Sequence, residues 1–377
     1  MTTRLETARQ RLDEGSRNGL HLGGQLYVSL RGEVVGDASF GEIRPGEPLE
    51  RDHLMLWLSA TKPITAVAVA RLWEQGRLEL DDPVAKHVPE FGQRDKEPIT
   101  LRHLLTHTGG IRLLDLGWPQ RSWAEIVQRI CRMKLEPRWT PGEKAGYHLT
   151  SSWFVLGEVV QRLSGESFAR HVRRTIFEPL RMERCWIGMP EESYDELAAE
   201  IAPMFDTAGA AAGSSKPAED LGWTERHRLI AASPGANGVG PLRQLGRLYD
   251  LLVAGGELDG IRLLSPQTIE AMTARHRVGL YDHTFRQKLD WGLGFVLDSR
   301  HYGRDAPAYG YGAHASRRVY GHSGYRSSTA FADPEHHLVV ALAVNGVPDE
   351  ATHRQRFFDV VSAIYEDLGL DRPAGSD

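Results

Sequence analysis

Strand-like patterns stand at both ends of this 377-residue chain, with helical patterns between them. Residues 23–43, GGQLYVSLRGEVVGDASFGEI, alternate apolar and polar side chains with glycines interspersed, which predicts two or three antiparallel strands. The late stretches WGLGFVLD, RRVYGHSGYRSSTAFADP and HHLVVALAVNG carry the same signature. Helical spacing fills much of the middle: residues 60–76, a short ITLRHLLTHTGGI segment closed by Gly109 and Gly110, 122–134, 150–182, 241–254 and 266–275. Thr150, Ser151 and Ser152 are N-cap candidates and Gly165 a stop for one of these. A polar amphipathic helix opens the chain and RQRFFDVVSAIYEDLG closes it. Strands from both ends can share one sheet only if the insert forms a lobe of its own. The expectation is an α+β fold, an antiparallel sheet flanked by terminal helices plus an all-helical lobe. Residues 1–62 and 235–377 make the first lobe and 63–234 the second, with the site between them. TAGAAAGSSKPAEDLG, residues 207–222, has no period and reads as a mobile loop.

The bulk properties narrow the function classes. A net charge of −5 without a basic stripe argues against nucleic acid as a partner. No apolar run approaches the roughly 20 residues of a membrane span. The polar N-terminus has no signal-peptide pattern, and two cysteines, Cys131 and Cys185, make no disulfide framework. A cytoplasmic protein is expected.

Three separated stretches carry chemistry. In MLWLSATKPITAVAVARLWEQG, Ser59 stands at a helix start with Lys62 three residues on. Positions i and i+3 of a helix face the same side, about 5–6 Å apart between Cβ atoms. Backbone N–H groups at a helix start are unpaired and favour negative charge. Those are the needs of a nucleophilic serine: exposure, a base and oxyanion donors. The chain has seven lysines among its 45 basic residues, and lysine, unlike arginine, can give up its proton when desolvated. Pro63 fixes where the helix begins. Taken alone, the same pattern also fits a capping serine with a solvated lysine. In PGEKAGYHLTSSWFVLGE, Tyr147 follows a Pro-Gly turn and precedes a helix, where a phenol can project into a cleft or be an ordinary core tyrosine. In VYGHSGYRSSTAFADPE, His322, Ser323 and Gly324 lie on an edge strand, and Gly324 would let a ligand approach the backbone closely.

S-x-x-K early, a tyrosine at the head of a mid-chain helix and H-S-G on a late strand together resemble the class C β-lactamase-like family of serine acyl-transfer enzymes. Penicillin-binding proteins, carboxylesterases, D-aminopeptidases and transacylases are its relatives. The likeness runs nearly the whole chain: LRHLLTHTGGI is similar to the family's LL-x-H-T-S-G-L, and LLVAGGELDGIRLLSPQTIEAMT to the segment after its helical lobe. The resemblance implies Ser59 as the nucleophile of an acyl-enzyme, with Lys62 and Tyr147 sharing the proton work. Which of the two is the working base stays open. It also implies an oxyanion hole from the N–H groups of Ser59 and Tyr325, and a ping-pong mechanism without metal or organic cofactor. His322 stands where the family's K-T-G has lysine and would orient Tyr147 or the acyl carbonyl. Tyr147-His148-Leu149 departs from the Tyr-x-Asn of true β-lactamases: leucine has no donor or acceptor, so efficient β-lactam hydrolysis is not expected.

GHSGY is no G-x-S-x-G elbow, because Tyr325 follows Gly324 and no strand–elbow–helix context surrounds it. His103 and His107 have the spacing of a zinc pair but lack the H-E-x-x-H glutamate, so they read as packing and loop-closing residues. His148, Ser323, Trp57 and Trp153 adjoin motif residues and are candidates for lining the acyl pocket, the core being the equal alternative for each. The expected activity is hydrolysis of a small-molecule ester or amide. A transacylase that passes the acyl group to an amine or alcohol is the alternative, and a non-catalytic binding protein on the same fold the second.

Overall fold

The computed structural model describes residues 5–112, 115–209, 219–303, 306 and 310–371. Helix α1 (Glu6–Arg17) leads into strands β1 (Gly23–Leu30) and β2 (Glu33–Arg44), joined by Arg31 and Gly32. Both turn residues have positive φ, 55° and 80°, the hairpin geometry whose twist matches that of the flanking strands. A two-residue β3 (Glu47–Pro48) and β4 (Met55–Leu58) follow, then a 3₁₀ turn over Ser59–Thr61 that runs directly into α2 (Lys62–Glu74). The helical insert includes α3 (Leu101–Leu105), α4 (Trp123–Arg132) and α5 (Ser151–Ser164). Strands β5 (Trp186–Ile187) and β6 (Gly238–Gly240), helix α6 (Leu242–Val253), strands β7 (Val296–Leu297), β8 (Tyr320–Gly324), β9 (Ser328–Asp333) and β10 (Leu338–Val344) and the last helix α7 (Glu350–Asp367) complete the frame used below.

The main sheet runs β7-β8-β9-β10-β1-β2-β3, every pair antiparallel. Its middle joins the two ends of the chain, β1 pairing with β10 from Gly24↔Val344 to Leu30↔Leu338. Strand β10 is buried throughout because both faces are covered. Val340, Leu342 and Val344 pack with Leu12 of α1 and Val361 of α7; Val339, Ala341 and Ala343 face the larger core that holds α2 and α6. That division is the two-residue period of a strand acting on two apolar layers. The expected antiparallel sheet with terminal helices is therefore present.

Helix α2 is more buried than its spacing predicts: residues 62–70 and Leu72 are all inside, which suits its run of small apolar side chains. A three-stranded sheet, β4-β6-β5, lies at its N-terminal end. Helix α3 stops before Gly109 and Gly110. Its left-handed residue is His107, at φ 59°, held there by hydrogen bonds described below. Helix α5 ends as expected at Gly165, φ 77°, but Thr150 caps it without a side-chain bond. Ser151 and Ser152 bond instead to Ile111 O and to the His148 ring. Strand β8 is not the sheet edge. Short β7 pairs with it only at Tyr320 and Gly321, because the chain turns just before β7 at Gly294, φ 83°, and His322–Gly324 run past its end. Of the loop expected over 207–222, residues 210–218 lie outside the described residues, and Glu219–Asp220 form a short strand. Among the described residues no helix is long and apolar enough to cross a membrane.

Candidate active site

The chain reaches Ser59 through a strained residue. Leu58 has φ 50° and ψ −130°, a conformation that costs a non-glycine residue about 1–3 kcal/mol and needs surrounding structure to hold it. That structure is β4 behind it and two acceptor contacts around Trp57: Ser328 Oγ donates to Trp57 O at 2.7 Å, and the Trp57 indole donates to Gly240 O at 3.0 Å. The sharp turn leaves Ser59 half-buried at the head of the 3₁₀ turn.

Lys62 Nζ lies 2.9 Å from Ser59 Oγ and donates to Gly235 O at 2.7 Å. The lysine is fully buried, and among the described residues no carboxylate pairs with it. Burial alone pushes its pKa well below the ordinary lysine value. A neutral amine can accept the Ser59 hydroxyl proton on its lone pair while still donating to Gly235 O. The 234–238 segment clasps the start of α2 at three points: Gly235 O on Lys62, Pro234 O on Thr65, and Gly238 N–H on Thr61 Oγ1. A side chain at Gly235 would strike the Trp153 ring, 2.7 Å away.

Tyr147 reaches the same point from the loop before α5. Its phenol shares a hydrogen bond with Ser59, and its ring centre lies 5.0 Å from Lys62 Nζ. Burial, with the Asp282 carboxylate nearby, raises the phenol above its ordinary pKa, against the Ser59 hydrogen bond. The pair thus sets an amine of lowered pKa and a phenol of raised pKa around one hydroxyl, an arrangement for taking a proton with the first and giving one with the second.

The end of β8 comes against the residues before Ser59. A Cβ on Gly324 would sit 2.4 Å from Trp57 O and 3.0 Å from Leu58 Cβ, so only glycine lets the strand approach. Gly324↔Ser328 is the last register pair, and half-exposed Tyr325 begins the turn beyond it, beside Trp223. Ser323 Oγ donates to Thr329 Oγ1 across the ladder. His322 is buried 6.0 Å from the Tyr147 ring, centre to centre. Its Nδ1 lies 2.9 Å from Ser323 O, which can only accept, so Nδ1 carries the proton and Nε2 is a bare acceptor. Burial, the largest cause, lowers its pKa to about 3, so no cation stands where the resembling motif has lysine.

The structure brings Ser59, Lys62, Tyr147, His322, Gly324 and Tyr325 together. It does not bring the His148 ring to the cleft: fully buried, that ring accepts from Ile111 N–H through Nε2 and bonds Ser152 Oγ through Nδ1. Trp57 and Trp153 are core residues too, although the Trp153 ring lies 5.6 Å from Lys62 Nζ. Sequence reasoning missed Gly235, whereas His107 is the packing and loop-closing residue it was expected to be. His107 Nδ1 accepts the His148 N–H at 3.0 Å, and its ring packs 4.6 Å from Tyr147 and 4.5 Å from Trp291, centre to centre. No local signal marks Gly235, since its partner Lys62 lies 173 positions away.

The sequence and the fold have counterparts. The family model described as Beta-lactamase matches residues 8–363. The chain belongs to the β-lactamase family. It is 29% identical over 343 residues to the esterase/beta-lactamase LipL of Mycobacterium tuberculosis, covering 86% of this chain and 77% of that protein. It is 29% identical over 358 residues to the esterase EstB of Burkholderia gladioli, covering 83% of this chain and 84% of that one. The crystal structure of a family VIII carboxylesterase superposes with a TM-score of 0.80 at 25% identity, over 97% of this chain and 98% of that one. Membership of the β-lactamase family agrees with the resemblance carried by the sequence motifs.

Proposed function

We propose that this protein is a serine esterase for small uncharged esters, working through an acyl-enzyme on Ser59. The observation that carries the reading is the 2.9 Å contact between Ser59 Oγ and a lysine whose burial lowers its pKa well below the ordinary value. Lys62 takes the hydroxyl proton as Oγ adds to the ester carbonyl. The backbone N–H groups of Ser59 and Tyr325 receive the oxyanion. The Tyr147 phenol protonates the departing alkoxide and recovers a proton from Lys62. Water then attacks the acyl-enzyme by the same steps reversed, releasing the acid and restoring Ser59.

Two features favour an uncharged substrate. His322 is neutral, so it offers no cation to a substrate carboxylate. Leu149, 61% exposed two residues after Tyr147, presents an apolar side chain where an amide-binding asparagine would serve a β-lactam or peptide. Esterase names among the relatives support the same class. The reading places Ser59 at the seam of two lobes, 1–62 with 235–377 against 63–234, in a cytoplasmic enzyme whose cysteines, Cys131 and Cys185, are buried and unpaired.

Intact-protein mass spectrometry tests it. Wild type and Ser59→Ala are incubated with p-nitrophenyl acetate, p-nitrophenyl butyrate, a thioester and a β-lactam, with and without an added amine. An acetyl adduct that needs Ser59, with slow or no adduct from the β-lactam, is the expected result. Adduct loss that speeds up with amine, giving amide, would make the protein a transacylase. Ester turnover undiminished in Ser59→Ala would end the assignment.

A further inference from the structure

One buried ion pair stands beside this machinery without a part in it. Arg277 Nη2 donates to Asp282 Oδ2 at 2.9 Å, with side chains 1% and 0% exposed. Desolvating two charges offsets most of what their attraction returns, so a pair of this kind is weak evidence for stability. Its other bonds indicate what it does. Asp282 Oδ1 accepts three backbone N–H groups, those of Tyr147 at 3.2 Å, Thr284 at 2.9 Å and Phe285 at 3.0 Å. Arg277 donates again to Thr106 O at 3.1 Å and to Leu289 O at 3.2 Å, and its guanidinium lies 5.2 Å from the centre of the Trp291 ring.

Those bonds converge on one residue. Asp282 holds the Tyr147 N–H, and Thr284 Oγ1 donates to the Tyr147 carbonyl at 3.2 Å. The next N–H, that of His148, goes to His107, which follows the Thr106 that Arg277 holds. The Tyr147 ring then rests on Phe285 at 4.9 Å, His107 at 4.6 Å and Trp291 at 5.8 Å, centre to centre; Phe285 is bonded to Asp282, Trp291 lies on Arg277, and His107 follows the Thr106 carbonyl that Arg277 holds. A carboxylate is the side chain suited to gather several N–H donors at once, and the fork of donors on the arginine beneath it also reaches two further carbonyls.

We propose that the buried Arg277–Asp282 pair is the positioning device for Tyr147, fixing its backbone so that the phenol stays on Ser59 and delivers its proton to the leaving group. The proposal rests on the reading of Tyr147 as proton donor. The Asp282 charge acts in the same direction, since it disfavours the phenolate and keeps the proton available.

Leaving-group dependence tests it. p-Nitrophenol departs readily as its anion, whereas p-methylphenol needs a proton more. The acyl group is the same in p-nitrophenyl acetate and p-methylphenyl acetate, so the ratio of their kcat/KM values reports the proton donor and not the fold or the serine. The double variant Arg277→Met/Asp282→Leu leaves no charge buried and removes the acceptor of the Tyr147 N–H. It is expected to fold by circular dichroism and to disfavour the p-methylphenyl ester by roughly tenfold or more in that ratio. The conservative double variant Arg277→Gln/Asp282→Asn keeps an acceptor oxygen and should hold the ratio within about threefold of wild type, as an oriented donor requires. Should the apolar double variant not fold, Asp282→Asn alone decides on the same criterion, because an amide that gives its oxygen to Arg277 turns its nitrogen onto the Tyr147 N–H. Tyr147→Phe separates the two levels. If it leaves the ratio unchanged, the reading of Tyr147 as donor is wrong. If it moves the ratio while the pair variants do not, the positioning proposal is overturned and the reading stands.

Discussion

Lys62 shows at the scale of one residue how function is set against stability. Burial lowers the folded-state pKa of Lys62 well below its ordinary value, whereas the unfolded chain binds the proton below the ordinary lysine pKa of about 10.4. Between the lowered folded value and that ordinary one, the unfolded state holds more protons, so wild-type stability rises with pH across this window. Lys62→Met lacks that dependence. It is expected to be more stable than wild type at pH 7, the difference shrinking as pH approaches the ordinary lysine range, while turnover falls by roughly 10³-fold. Denaturant unfolding of both proteins at pH 7 and 9.5 measures this, and a pH-independent difference would count against a neutral Lys62. In wild type the same logic gives activity an acid limb, as protonation of Lys62 removes the base. The raised phenol of Tyr147 keeps the donor protonated well into alkaline solution.

Between residue and molecule stands the approach of two strand ends. β8 can press against the turn before Ser59 only because Gly324 has no side chain, and Ser328 of β9 fastens Trp57 O in the same place. Gly324→Ala would put a methyl group into backbone, which cannot yield as a side-chain tip can. The expected cost is about 1–3 kcal/mol of stability from overpacking. Displacing the Tyr325 N–H should lose roughly 10²-fold or more in acylation rate, the size of a missing oxyanion donor. Stopped-flow release of p-nitrophenol, read beside a melting curve, separates the two effects; an unchanged burst rate would remove Tyr325 from the oxyanion hole. The glycine itself was legible as a close-approach position. What approaches it was not, because Trp57 and Gly324 are distant in the chain and meet only through the fold.

For the whole molecule, the sheet that carries β8 is completed by the two ends of the chain. β1 lies between β2 and β10, and α1 and α7 cover one face together, with Asp367 accepting the Ala8 N–H at 3.0 Å. Ending the chain at residue 349 would strip Phe357, Val361 and Ile364 from the cluster they share with Leu12 and Val340. Losing these buried apolar side chains, at about 1.5–3 kcal/mol each, is comparable to the whole stability of an ordinary domain. The truncated protein is expected to be insoluble or unfolded by far-UV circular dichroism. Retained esterase activity would show instead that the site does not depend on this layer.

The sequence by itself determined the parts that repeat locally or travel as short motifs. Alternation marked the terminal strands, Pro63 and the small apolar run placed α2, and S-x-x-K, the loop tyrosine and H-S-G named residues that the fold brings to one point. The tertiary structure alone decided how those groups are charged and held. The pKa of Lys62 is lowered because the surrounding core excludes water, and Gly235 O holds its Nζ beside Ser59. His148, a neighbour of Tyr147 in sequence, is turned away into the core, whereas Asp282, 135 positions later, holds the Tyr147 backbone. Burial and hydrogen-bond partnership are properties of the folded neighbourhood, and no short window of sequence contains them.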